Sequence, residues 1–333
     1  MSENKYLYSV TRVRALETKL LDKAKIERMV DAKNADEVIK ILYETDYAGS
    51  ISEMKGIEDY ETVLSKELSK TYEVMREISP APELTDIFLF RYDIHNLKTL
   101  LKSSFLGEEN DALLSSIGTI PLQKLKEMVK EKDFTDLDPM VRERVEEVVN
   151  EFTVNPDPQM IDIVLDRCLY NLMYKVANKN RSSFLTDYIA AQIDLANIKS
   201  FIRVKSMGYG RDFLNRVILQ NGKLDYAFFN DIFEEPVDVL IERLAFKDYN
   251  YVVEEGISSY QKTKSLTRYE KLSDDFLFEI AKKGKYVAFG IEPLIGYLMA
   301  KENEIKIIRM IMVGKINEIP NELIRERLRD VYV

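Results

Sequence analysis

Two stretches of this chain, LTDIFLFRYDIHNLKTLLK from Leu84 to Lys102 and LTDYIAAQIDLANIKSFIR from Leu185 to Arg203, align without a gap at an offset of 101 residues. Leu-Thr-Asp opens both. Asp93 and Asp194 then occupy the same place, followed by Asn96 and Asn197 and by Lys98 and Lys199. The apolar positions Ile87, Phe90, Ile94, Leu97 and Leu101 step by 3, 4, 3 and 4, and Tyr188, Ala191, Leu195, Ile198 and Ile202 step identically. That spacing is one face of an α-helix, so the two copies are expected to form equivalent helices with the same buried stripe.

A third, more diverged copy lies near the end of the chain. Aligning Lys306 with Lys98 places Ile295, Leu298 and Ile305 on the stripe, while Glu302 and Arg309 replace two apolar positions and Glu304 stands for the asparagine. A second element repeats with it. The pairs Asp46-Tyr47, Asp133-Phe134 and Asp248-Tyr249 each end an amphipathic segment, with Leu42, Val129 and Leu244 four residues before the aspartate and Val38, Leu125 and Leu240 eight before. The chain therefore reads as three related helical modules, 1–108, 109–210 and 211–333, whose unequal lengths are the loop variation that surface connections tolerate.

Helical periodicity extends beyond the repeats, and sustained alternation of period two is nearly absent. Expected breaks fall at Gly49–Gly56, Ser79–Pro82, Phe105–Asn110, Gly118–Pro121, Asn155–Pro158, Asn178–Ser183, Gly208–Arg211, Pro236, Gly284 and Pro320. The fold class expected is all-α, a compact helical protein. Only 12 glycines and 9 prolines in 333 residues agree with a chain poor in turns, and 46% hydrophobic residues suffice for a sizeable core.

Charge and composition exclude several functions. A net charge of -9 opposes binding nucleic acid over a large area, which needs a basic surplus. One cysteine, Cys168, and one histidine, His95, exclude an internal disulfide framework and zinc sites built on Cys and His clusters. The start MSENKYLYSV lacks a basic segment followed by an apolar core, and no uninterrupted apolar run reaches about 18 residues. The most apolar stretches, Ile291–Ala300 and Ile305–Val313, carry Glu292, Lys306 and Arg309. A soluble protein in a reducing compartment is expected.

The search for chemistry returns few candidates. The Gly-Lys pairs are followed by Leu224, Tyr286 and Ile316, so no phosphate loop ending in Gly-Lys-Ser/Thr is present, and no serine has the flanking glycines of a nucleophile elbow. Gly208-Tyr-Gly210 reads as a turn. Asp274-Asp275 is the one pair that could suit magnesium, against the reading that Ser273 caps a helix and the aspartates occupy its first turn. His95 is replaced by Ala196 in the second copy and is expected in packing or at the surface. Met310-Ile-Met312 is a candidate for adaptable contact surface. The repeated Asp, Asn and Lys set can serve partner contact or fix each module's helix junctions, and repetition within one chain favours the structural role. No catalytic residue, cofactor or metal ligand is assigned.

The opening Tyr6-Leu-Tyr8-Ser-Val-Thr-Arg12-Val-Arg14-Ala-Leu-Glu17, the Tyr92–Lys98 and Asp194–Lys199 helices, and the closing Ala300–Arg309 and Ile324–Leu328 segments together resemble the C subunits of the archaeal and bacterial A/V-type rotary ATPases (A-type ATP synthases), the family that includes the d subunit of the eukaryotic V-ATPase. The resemblance spans the whole chain and departs at Glu304. It implies a pseudo-threefold funnel of three helical domains on the cytoplasmic face of the membrane rotor ring, which is built of c/K/L-type proteolipid subunits. The central axle, made of the D and F subunits, would insert into the funnel, and the chain would carry torque without doing chemistry. The family-motif residues, structural or in partner contact, would be Tyr6, Tyr8, Arg12, Arg14, Asp93, Asn96, Lys98, Asp194, Asn197, Lys199, Glu304, Lys306 and Arg309. A helical-repeat scaffold for other proteins and an all-helical magnesium-dependent enzyme are the alternatives.

Overall fold

The structure, a computed structural model, describes residues 3–108, 110–154 and 156–332. Glu109 and Asn155, which fall within two of the expected breaks, lie outside them. Every regular element among the described residues is helical, so the all-α expectation holds. The segment 185–203 lies within one helix, Ser183–Ser206. Its counterpart is the helix Phe90–Leu106, entered through the short helix Pro82–Asp86 and a 3-10 turn, Ile87–Leu89. The third copy lies in the helix Glu292–Ile316.

The chain divides into two compact units, one of residues 86–269 and the other of residues 1–85 with 270–333. The first holds two of the repeat helices. Phe90–Leu106 packs there against Pro158–Lys179 and Leu122–Glu131, and its stripe residues Ile94, Leu97 and Leu101 join Leu125, Val129, Phe134 and Leu165 in one apolar core. Ser183–Ser206 begins where Ser182 accepts the Leu185 N–H, a side-chain cap for an otherwise unpaired donor. It ends where Gly208, at φ +72°, turns the chain, and Tyr209 N–H closes on the Val204 carbonyl, so Gly208-Tyr-Gly210 is a helix stop.

In the other unit, Glu292–Ile316 is the central helix. It packs against Tyr60–Ile78, Leu7–Glu17, Ala35–Leu42 and Asn321–Arg327. Because neighbours cover it on many sides, it is apolar nearly all round: Leu294, Ile295, Leu298, Ile305, Ile308 and Ile311 are buried. This accounts for the two most apolar stretches of the sequence. Ile311 and Met312 are fully buried among them, which removes these two from the contact surface expected of Met310-Ile-Met312, while Met310 is partly exposed.

Of the helix ends that fall where the sequence marks no break, two share a cause. Lys132 and Lys264 end helices in the left-handed region, at φ 56° each, where glycine is the usual residue and the sequence offers none. The helix start expected at Ser273 is also displaced. Thr267–Lys282 begins six residues before Ser273, so Ser273 and Asp274-Asp275 lie in the helix interior, and the capping account of them is wrong.

Candidate functional site

The repeated polar residues form clamps, and each copy holds a segment distant in sequence. In the first, Asn96 donates from Nδ2 to the Ser115 carbonyl at 2.9 Å and accepts the Ser115 N–H at 2.8 Å. Asp93, one turn earlier, accepts the Thr119 and Ile120 N–H groups at 3.0 and 3.1 Å and the Thr119 hydroxyl at 2.6 Å. In the second, Asn197 makes the same two-way bond to Leu219, at 3.0 and 2.8 Å. Asp194 accepts the Leu224 N–H at 2.8 Å and the Tyr249 hydroxyl at 3.0 Å. All four side chains are buried. An asparagine amide matches one backbone donor and one acceptor, and a carboxylate takes several donors, so the pair pins a loop that has no partner strand or helix.

The third copy keeps the geometry with different chemistry. Glu304, in the asparagine's place, accepts the Leu21 N–H and, at 2.7 Å, the Tyr47 hydroxyl. Lys301 stands where the aspartates stand and donates to Glu304 at 2.7 Å, with its ammonium 4.1 Å from the centre of the Tyr47 ring. Both charges are buried. The aromatic residues of the second repeated element enter here as well: Tyr249 bonds the aspartate of the second repeat helix and Tyr47 the glutamate of the third. Burial and the adjacent carboxylates push both phenols above their usual pKa, so they donate throughout the ordinary pH range.

Two glycines complete the first two clamps. Gly118 and Gly222 have ordinary φ values, yet a β-carbon on either would fall within contact distance of Oδ1 of Asp93 or Asp194, and at Gly222 it would also lie 2.8 Å from Ile193 Cγ2. The carboxylates are held by their bonds and cannot step aside. Gly222→Ala is therefore expected to cost about 1–3 kcal/mol. Gly49→Ala, where a β-carbon meets nothing within 4 Å, should be neutral or mildly stabilising, as urea unfolding of the two variants will show.

The other motif residues are spread more widely. Lys98 pairs with Asp166 at 2.6 Å, Arg309 with Glu61 at 2.9 Å, and Lys306 with Asp274. Lys199 is partly buried. Arg14 chelates Glu17 and reaches the Gly284 and Val287 carbonyls at 3.2 and 3.1 Å. Glu17 in turn accepts the Tyr332 hydroxyl at 2.7 Å. Tyr6 is partly buried, whereas Tyr8 and Arg12 are exposed. Lys301, Gly118, Gly222 and Tyr332 are not among the residues that the sequence motifs single out. Lys301 is visible in the alignment as a charge reversal at the aspartate position, and the glycines as residues 25 and 28 positions after the repeat aspartates.

The enzymatic candidates are engaged in structure. Asp274 takes Lys306 and the Arg329 guanidinium, the latter at 3.0 Å, and Asp275 accepts the Asp330 N–H. Desolvation raises the Asp275 pKa, which disfavours the ionised form that a metal ligand needs. His95 is exposed, with Nε2 2.8 Å from the Leu113 carbonyl. Burial lifts the Cys168 thiol to about 11, leaving little of the nucleophilic thiolate. No group of three or more His, Cys, Asp or Glu residues that could hold a metal occurs among the described residues. None of their helices is long and apolar enough to cross a membrane.

Comparison with known proteins accounts for this pattern. The family model for the ATP synthase (C/AC39) subunit matches residues 9–327. The C subunit of the A-type ATP synthase of Methanocaldococcus jannaschii is 28% identical over 97% of this chain and 86% of its own length. The C subunit of the V-type sodium ATPase of Enterococcus hirae is 29% identical over 96% of this chain and 97% of its own. With a family match over nearly its whole length, the chain belongs to the ATP synthase (C/AC39) subunit family, as a structural and non-catalytic component of a rotary ATPase.

Proposed function

We propose that this protein is the socket of the central stalk. One face rests on the membrane rotor ring of c/K/L-type proteolipid subunits, at the cytoplasmic side, and another receives the axle formed by the D and F subunits. Torque passes between them through the chain. The observation that carries this reading is the triple clamp. A part loaded from two sides must keep its shape, and here three equivalent helices grip distant segments through buried, directional bonds that apolar packing alone would not supply. The three modules 1–108, 109–210 and 211–333 are the units we expect to share the load. Among the motif residues we assign the exposed Arg12 to partner contact and the bonded ones to the rigid frame.

A helical scaffold for unrelated partners would serve equally without catalysis, and the family membership favours the rotor. The test is reconstitution of the ATPase with and without this protein. Without it, ATP hydrolysis by the catalytic head should persist while ATP-driven ion pumping falls to background, and adding the protein back should restore pumping. Full pumping in its absence, or failure to copurify with any ring or axle component, would refute the assignment.

A further inference from the structure

The unit formed by residues 1–85 and 270–333 carries a face that the clamps do not use. Tyr286 is 87% exposed and Phe289 43%, in the loop that leads from the helix Thr267–Lys282 to Glu292–Ile316. Lys282, Lys283 and Lys285 precede them, and residues 280–289 contain no acidic residue in a chain of net charge -9. The helix Leu7–Glu17 runs alongside. Arg14 binds the Gly284 and Val287 carbonyls, and Leu7, seven residues earlier, lies on the same helical face as Arg14. Leu7 is 51% exposed and the adjoining Tyr8 67%, with Lys5 also exposed. The helix Leu7–Glu17 and the turn Lys283–Tyr286 both pack on Glu292–Ile316.

The fold does not require this composition. At the aligned positions before the first repeat helix, 75–83, Met75 and Ile78 are buried at the end of the helix Tyr60–Ile78, and those before the second, 176–184, carry Asn178, Lys179, Asn180 and Arg181 with no exposed aromatic residue. Two other uses of exposed aromatics with cations can be separated by residue type. Protein interfaces favour arginine and are depleted of lysine. Surfaces that seat on membranes accept lysine as readily as arginine for anionic headgroups, beside aromatic and leucine side chains that enter the headgroup boundary. The exposed cations of the loop and of the turn beside it, Lys5, Lys283 and Lys285, are lysines, while Arg14 is engaged by Glu17 and the loop carbonyls. Lys282 is partly engaged, bonding Glu279 at 2.7 Å, and Lys285 lies 5.4 Å from the centre of the Tyr332 ring, so both stems are held in place while Lys283 extends outward.

We propose that the loop Lys282–Phe289 and the first turn of Leu7–Glu17 form a lysine-aromatic face that seats on anionic phospholipid headgroups. The inference is independent of the socket reading. It can be tested on the intact chain, because the chain has no tryptophan and Tyr286→Trp therefore installs a single reporter. The Tyr286→Trp protein should sediment with vesicles containing phosphatidylglycerol, with emission shifted to the blue and quenched by brominated acyl chains. Vesicles of phosphatidylcholine alone should give neither effect. Adding Lys283→Glu and Lys285→Glu should weaken partition at least about tenfold. Lys283→Gln alone, a milder change for the fold, should weaken it severalfold, with circular dichroism unchanged. Binding that leaves the tryptophan emission in its aqueous position would overturn the proposal. So would equal binding by the lysine variants, or photo-crosslinks from position 286 in the assembled complex that reach protein and never lipid.

Discussion

Replacing Asp194 by alanine is expected to lower the unfolding free energy by about 4 kcal/mol, because the variant leaves the Leu224 N–H and the Tyr249 hydroxyl buried without an acceptor, at about 1–3 kcal/mol for each, and opens a small cavity. Urea unfolding followed by circular dichroism reads this as a lowered midpoint. A loss below about 1 kcal/mol would mean that water or a neighbouring group replaces the carboxylate at little cost. The pH dependence separates the charge from the bonds. Desolvation raises the Asp194 pKa above the usual carboxylate value, against the opposing pull of its hydrogen bonds. The folded protein therefore holds this proton more tightly than the unfolded chain does. The contribution of Asp194 is most favourable below the unfolded value, about 3.9, and declines as pH rises toward the raised folded value. Asp194→Asn removes that decline, so the stability difference between it and the parent should shift in favour of the variant as pH increases through this window, then level off.

The second large effect concerns the buried pair of the third clamp. Lys301→Met leaves the Glu304 carboxylate buried without its cation, and breaking such a pair costs about 3–5 kcal/mol. The double variant Lys301→Met/Glu304→Gln should recover much of the loss. Glutamine is neutral, yet its carbonyl still accepts from the Leu21 N–H or the Tyr47 hydroxyl. A double-mutant cycle in urea should give a coupling of at least about 1 kcal/mol, within the range for residues in direct contact. Additive losses would show that the pair does not act as a unit.

These two clamps show how far sequence reaches in this protein. The repeat is legible because a helix that buries one face must place apolar residues at intervals of three and four, and all five stripe positions survive in two copies. That Asp93, Asn96, Asp194 and Asn197 recur is legible too. What they bind is not, since Ser115, Thr119, Leu219 and Leu224 contribute backbone groups, which every residue possesses and no sequence pattern marks. Ser273 shows the opposite failure. A serine followed by two aspartates has the composition of a helix start, but packing carries the helix through it, and Asp274 and Asp275 serve instead to hold Arg329 and the Asp330 backbone. The third copy drifts from the pattern where its stripe meets polar partners on a neighbouring helix. Glu302 and Arg309 sit where apolar residues stand in the others and meet Tyr72 and Glu61 of the helix Tyr60–Ile78.

Glu304 closes its clamp on Leu21 and Tyr47, residues made long before it during synthesis. Both repeat aspartates of the 86–269 unit, by contrast, bind residues that follow them by only 26 to 55 positions. On a ribosome these units have different timetables. The segment holding Leu21 and Tyr47 waits for roughly 250 further residues before its central helix exists, on the order of 12 to 50 s at about 5–20 residues per second. The middle of the chain meets its own partners soon after it emerges. The early segment is thus the portion that a nascent chain carries with its apolar positions Leu21, Val38, Leu42 and Tyr47 unsheltered by their final neighbours until the last long helix is made.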